Sequence, residues 1–160
     1  DALRVLLDTL PRAGWERHAN FDGLIRFWLD RHLMFRDVLG RLRKGSALYL
    51  DRQVDPRRHA AETARYAGFL LNELHGHHSI EDHHYFPALI GLDPRLVRGF
   101  ELLDSDHHAL DGRLGEADER DRGAALAGAL ARFETFLDRH LTDEEDLVVP
   151  VLLTYAPKLH

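Results

Sequence analysis

Apolar residues recur at three- and four-residue steps along most of the chain. The first such stripe is Phe21, Ile25, Trp28, Phe35, Leu39 and Leu42, and a second carries Tyr66, Leu70 and Leu74. A third runs through Leu96, Phe100, Leu103, Leu110 and Leu114, and a fourth through Phe133, Phe136, Leu137 and Leu147. This spacing gathers the apolar side chains on one face of an α-helix, and no segment shows the sustained alternation of a strand. The stripes predict four helices over residues 18–44, 56–86, 94–118 and 121–148, preceded by a short apolar segment at 2–10. Asp55-Pro56 and Asp93-Pro94 each read as an N-cap followed by proline at the first helical position. Gly45-Ser46, the surroundings of Gly91, and residues 119–123 read as breaks, and Pro87 and Pro150 are expected to end the helices they follow. Four amphipathic helices with short connections predict an all-α, up-down-up-down four-helix bundle. Residues 1–160 form one domain, with the bundle core at 18–150.

Each stripe is interrupted, and a histidine stands in every gap. His32 falls between Trp28 and Phe35, and His107 between Leu103 and Leu110, while His140 follows Phe136 by four residues and His77 follows Leu70 by seven. One histidine on an apolar face is usually a satisfied core residue. Four, one per helix, would cost about 1–3 kcal/mol for each group buried without a partner. A shared metal ion removes that cost.

Composition narrows the chemistry. The chain has no cysteine, which excludes disulfides, thiolate zinc sites, cysteine-ligated clusters and a cysteine nucleophile. A net charge of −6 offers no basic patch for nucleic acid. No run is long and apolar enough to suggest a membrane span. The N-terminus lacks both an initiator Met and the pattern of a signal peptide, and a cytoplasmic location is the expectation. Histidine is abundant: twelve in all, five of them between His75 and His84. A metal held here would be bound by imidazole and carboxylate, a set suited to iron, manganese, zinc or copper.

The second and fourth helices close alike. His77-His-Ser-Ile-Glu81-Asp-His-His-Tyr-Phe-Pro87 aligns with His140-Leu-Thr-Asp-Glu144-Glu-Asp-Leu-Val-Val-Pro150, both reading H-x3-E-[DE]-x4-P. Residues four apart share a helical face, so each histidine points the same way as its glutamate. His32 and His107 echo one another more faintly, each with apolar residues three and seven positions later. The chain reads as a duplicated helical hairpin, each half giving one lone histidine and one His-x3-Glu pair. Four imidazoles and two carboxylates are too many ligands for tetrahedral zinc and suit two metals that share carboxylates.

The pattern H … HxxxE … H … HxxxE, with Phe86-Pro87 and Val149-Pro150 closing the two hairpins, resembles the hemerythrin-like (HHE cation-binding) domain family over residues 18–150. The resemblance implies a left-handed four-helix bundle around a non-haem di-iron centre. Two iron ions, oxo- or hydroxo-bridged, would be held by His32, His77, Glu81, His107, His140 and Glu144, with Glu81 and Glu144 as bridges. Zinc and manganese are the other metals the ligand set accepts. The chain departs from the oxygen-carrying members at the turn before His107, where Leu103 stands in place of a further histidine, and Glu144 stands where they carry an aspartate. That departure puts simple O2 carriage in doubt.

Two residues are candidates for the missing ligand. His84 lies three residues after Glu81 on the face of His77, or is a surface imidazole at the helix end. His78 sits about 100° around the helix from His77; related members can place a ligand there, and otherwise it is a flanking residue. Glu73 is either an acceptor for a ligand's ring N–H or a bundle-edge charge. His108 is expected to face solvent, and His18, His59, His75, His83 and His160 to lie on the surface. The leading functional expectation is binding, sensing or slow turnover of O2, peroxide or NO at the metal pair, with weak peroxide or NO chemistry left open. An iron- or oxygen-responsive regulatory module and a metal-storage or buffering protein are the alternatives.

Overall fold

A computed structural model describes the backbone of residues 1–119 and 124–155 and the side chains of residues 1–110 and 126–155. Among these residues the chain is all-helical. A 3-10 turn at Arg12–Arg17 precedes α1 (Gly23–Leu50) and α2 (Pro56–Ile80). A π-turn, Glu81–Tyr85, then joins α2 to the short α3 (Phe86–Ile90). A second 3-10 turn, Pro94–Leu96, leads into α4 (Val97–Glu119), and α5 spans Ala124–Tyr155. Local chemistry explains the boundaries. The Asp22 carboxylate accepts from the Ile25 amide at the start of α1, and Asp55 accepts from the amides of Arg57 and Arg58 with Pro56 opening α2. Gly91 terminates α3.

The long helices close a ring in which α1 packs on α2 and α5, and α4 packs on α5 and α2. Two apolar clusters fill it. Phe35, Leu39, Leu74, Leu110, Phe133 and Leu137 belong to one; Phe86, Leu96, Phe100, Leu103, Leu147 and Val151 belong to the other. Between them lies a layer of buried polar side chains contributed by α1, α2, the π-turn, α4 and α5. The interrupted stripes are therefore apolar above and below that layer. The N-terminal segment packs outside it: Leu3, Val5 and Leu6 join the second cluster, and the buried Trp15 caps Ile25, Val149 and Leu153. Gly99 of α4 permits the approach, since a Cβ there would stand 2.6 Å from the Ala2 carbonyl oxygen.

Several expected breaks are absent. Helix α1 continues through Gly45-Ser46 to Leu50, with Ser46 buried. Pro87 opens α3 instead of ending a helix, because the first turn needs no N–H from it. Pro150 lies inside α5. It forfeits one helical hydrogen bond, and the burial of Val148, Val149, Val151 and Leu153 around it keeps the last turns helical. The second segment is two helices and a π-turn, so the described chain has five α-helices where four were expected. Leu114 and His160 lie outside the described side chains.

Candidate metal centre

The buried layer resolves into two groups of ligand-type side chains. His32, His77, Glu81 and Glu144 form the first, and His78, His107 and His140 the second, with ligand atoms in each within 4.8 Å of one another. In the first, His32 Nε2 stands 3.0 Å from His77 Nε2 and 3.2 Å from Glu144 Oε1, and Glu81 Oε1 is in contact with His77 Nε2. Glu144 Oε2 turns the other way, 3.2 Å from His107 Nε2 and 3.1 Å from His140 Nε2. Glu144 therefore offers one oxygen to each group. The His78 ring stacks on His107, with centroids 3.9 Å apart, and meets His140 edge-on at 5.4 Å.

Helix α2 supplies both groups for a geometric reason. Consecutive helical residues diverge by about 100°, and α2 has α1 on one side and α4 on another. His77 accordingly faces His32 of α1, while His78 faces His107 of α4.

Three of the imidazoles are oriented from behind. His32 Nδ1 pairs with Glu145 Oε2 at 2.8 Å, His107 Nδ1 with Asp82 Oδ1 at 2.8 Å, and His140 Nδ1 with Asp106 Oδ2 at 3.1 Å. Each pairing leaves Nε2 aimed into the layer, the arrangement by which outer carboxylates fix a metal-ligating histidine. The outer acids are themselves clamped by arginines: Arg12 and Arg36 hold Glu145, and Arg139 holds Asp106. The duplicated motif crosses over here. Asp82, following Glu81 in the first hairpin, orients the lone histidine of the second; Glu145, following Glu144, orients the lone histidine of the first.

The polar atoms inside the layer are poorly satisfied by protein alone. Both ring nitrogens of His78, both carboxylate oxygens of Glu81, Nε2 of His140 and Oε1 of Glu144 are buried without a hydrogen-bonding partner. Several stand close to one another yet lack hydrogen-bond geometry, as lone pairs converging on a common space would. Titration behaviour follows from the crowding. Burial, with the neighbouring His107, depresses His78 to about 2. At His140 burial also opposes charge, but Asp106 and Glu144 outweigh it and lift the imidazole to about 9. Burial and then Glu144 and Asp82 push Glu81 well above the carboxylate range. Glu144 is held well below it, because the surrounding imidazoles overcome the cost of its own burial. A cation in the layer would replace protons that these groups otherwise share at a cost in desolvation.

All six residues expected at the centre, His32, His77, Glu81, His107, His140 and Glu144, meet in this layer. Of the two further candidates, His78 joins them and His84 does not. His84 is exposed on the π-turn, whose wider winding breaks the three-residue register with Glu81 that a regular α-helix would have kept. Glu73 pairs with Arg31 at 2.5 Å and orients no ligand ring. His108, His75 and His83 are exposed, whereas His59 is buried and stacks on Tyr49 across the α1–α2 hairpin, centroids 4.4 Å apart. The outer acids Asp82, Asp106 and Glu145 were not foreseen. Their signal was present in the second acid of both E-[DE] pairs and in Asp106 immediately preceding His107.

This layer, contributed by two equivalent hairpins and poor in internal partners, is that of a helical cation-binding domain. The family model "Hemerythrin HHE cation binding domain" matches residues 23–152, and the chain belongs to that family. No curated protein and no solved structure shows significant similarity to the chain. No helix among the described residues is long and apolar enough to cross a membrane.

Proposed function

We propose that the protein is a non-haem di-iron protein that binds, senses or slowly turns over O2, peroxide or NO, its long helices acting as an up-down-up-down four-helix bundle around the metal pair. The observation that carries the reading is Glu144, which presents one carboxylate oxygen to each of two buried ligand groups. One position would be held by His32, His77, Glu81 and Glu144, the other by His78, His107, His140 and Glu144. Five neutral imidazoles and two carboxylates leave a pair of divalent ions with excess positive charge, which favours anionic small ligands. When bound, the iron pair would supply redox chemistry and a Lewis-acidic open position. The chain's own residues fix the imidazole tautomers through Asp82, Asp106 and Glu145, and the two apolar clusters exclude water from the layer.

Metal analysis of the purified protein, with visible spectra recorded with and without O2, tests the reading. Two iron ions per chain and near-ultraviolet absorption that responds to O2 are expected. One ion per chain, or a spectroscopically silent zinc protein when iron is supplied, would overturn it. The orphaned polar atoms favour a second reading, an iron-responsive module that loosens when metal leaves. Partial unfolding of the metal-free chain would select it, and a fully folded metal-free chain would select the gas-binding reading.

A further inference from the structure

A groove of about 520 Å³ runs between the C-terminal half of α1 and the N-terminal half of α2. It shares no residue with the metal layer, and Tyr66, its last residue on α2, precedes His77 by roughly 16 Å of helix. Its charge is unbalanced. Arg41 and Lys44 line it from α1, and neither has a carboxylate or hydrogen-bond partner among the described residues. Glu62, the one acid in the wall, is taken by Arg58 at 3.0 Å. The Arg41 guanidinium stands 6.0 Å from the centre of the Tyr66 ring. That of Arg65, also without a carboxylate partner among the described residues, stands 5.8 Å from the same ring. Positive charge is thus left over here in a chain of net charge −6.

We propose that this groove binds a small organic anion of the class of phosphomonoesters. Two cations without counter-charges match a dianion, and a guanidinium meets phosphate oxygens in pairs. His59 supplies a second, independent sign of a ligand. It lines the groove and is 8% exposed, one face covered by the Tyr49 ring at 4.4 Å between centroids. Its ring nitrogens have no hydrogen-bond partner among the described residues, yet unlike those of His78 they are not sealed from the surface. A buried imidazole left in that state gains a bond when a ligand oxygen reaches it. The Thr63 hydroxyl adds a donor to the same wall. The volume argues for an organic group behind the phosphate. At about 30 Å³ per water molecule in the liquid it corresponds to roughly seventeen waters, far more than inorganic phosphate would displace. It lies in the range of small-molecule sites, and Leu42, Leu48 and the Tyr66 ring offer the apolar lining such sites use.

The test titrates phenyl phosphate into the metal-loaded full chain by calorimetry, with phenol and inorganic phosphate as the two half-ligands. Arg41→Gln and Lys44→Gln remove exposed charges and leave the core alone. Gly45 lines the groove and a Cβ there meets nothing within 4 Å, so Gly45→Leu fills the space without displacing the helix. His59→Phe keeps a ring against Tyr49 and removes both nitrogens. Saturable one-to-one binding by the wild type is expected, weaker at high salt because the attraction is between exposed charges. It should weaken at least tenfold in Arg41→Gln, Lys44→Gln and Gly45→Leu, and measurably in His59→Phe, with metal content unchanged. No saturable binding by the wild type overturns the proposal. So does full-strength binding in Arg41→Gln and Gly45→Leu together, which would place the anion elsewhere, the metal layer included. Phenol binding as tightly as phenyl phosphate overturns the anion assignment, and inorganic phosphate binding as tightly overturns the organic part. Unchanged binding in His59→Phe removes the histidine from the site.

Discussion

The decisive residues at the smallest scale are those whose side chains have no satisfactory partner in the protein alone. His78 is 2% exposed with both ring nitrogens unpartnered, while His84, six residues on, is exposed. His78→Ala is expected to lower the metal content by one ion per chain, and His84→Ala to leave it unchanged, both read by metal analysis. Glu145→Gln keeps the shape of the group that orients His32 and removes its charge, so metal affinity should fall about 10–100-fold in a competition titration. A separate prediction concerns Asp93, which caps the Pro94–Leu96 turn. Its carboxylate accepts from the Arg95 side chain and amide and from the Tyr155 hydroxyl, which holds it down at about 2 from an ordinary 3.8. A carboxylate depressed in the folded state contributes stability above its unfolded pKa, and the contribution is lost as pH falls through the folded value. Asp93→Asn should therefore melt below the wild type at neutral pH, and the difference should close between about pH 4 and pH 2.

Among the elements, the π-turn has the most specific role. Phe86 donates its amide to the Glu81 carbonyl, one residue beyond the α-helical partner. The extra residue places Glu81 in the layer and still turns Phe86 and Leu89 into the apolar cluster beyond it. Inserting an alanine after His84 adds a residue that the single π-turn does not absorb, and should rotate those two side chains about 100° out of the core. The expected cost is about 2–5 kcal/mol, comparable to truncating one large buried side chain, whereas His84→Ala should be neutral within about 0.5 kcal/mol. Denaturant unfolding of the two variants separates register from side chain; equal stabilities would show that the π-turn carries no such constraint.

For the whole molecule, the polar layer lies between two apolar clusters, so metal and fold are coupled. Without a cation several buried donors and acceptors are unsatisfied, and a ligand that binds the folded state alone stabilises it by mass action. Chelation should lower the thermal midpoint, and graded re-addition of iron should raise it progressively. A midpoint indifferent to chelation would mean that hydrogen bonds rearrange to satisfy the layer without metal. The N-terminal segment belongs to the same balance, because Arg4 and Arg12 neutralise Asp143, Glu145 and Asp146 on either side of Glu144.

The sequence by itself determined that the chain is helical, the inward faces of the long segments and the four histidines that interrupt those faces, because helical periodicity is local and a histidine in an apolar stripe is visible without a fold. It also carried the duplication, and with it the positions of both motif glutamates. Tertiary structure decided what depends on more than one helix. Whether His78 or His84 completes the layer turned on the flanking of α2 by two different neighbours and on a π-turn, and neither leaves a periodic trace in the chain. The crossed pairing of Asp82 with His107 and of Glu145 with His32 needed the hairpins brought face to face, since each acid serves a histidine of the other half. Pro150 inside α5 follows the same logic: a local rule predicts a break, and the burial of the valines around it outweighs one lost hydrogen bond.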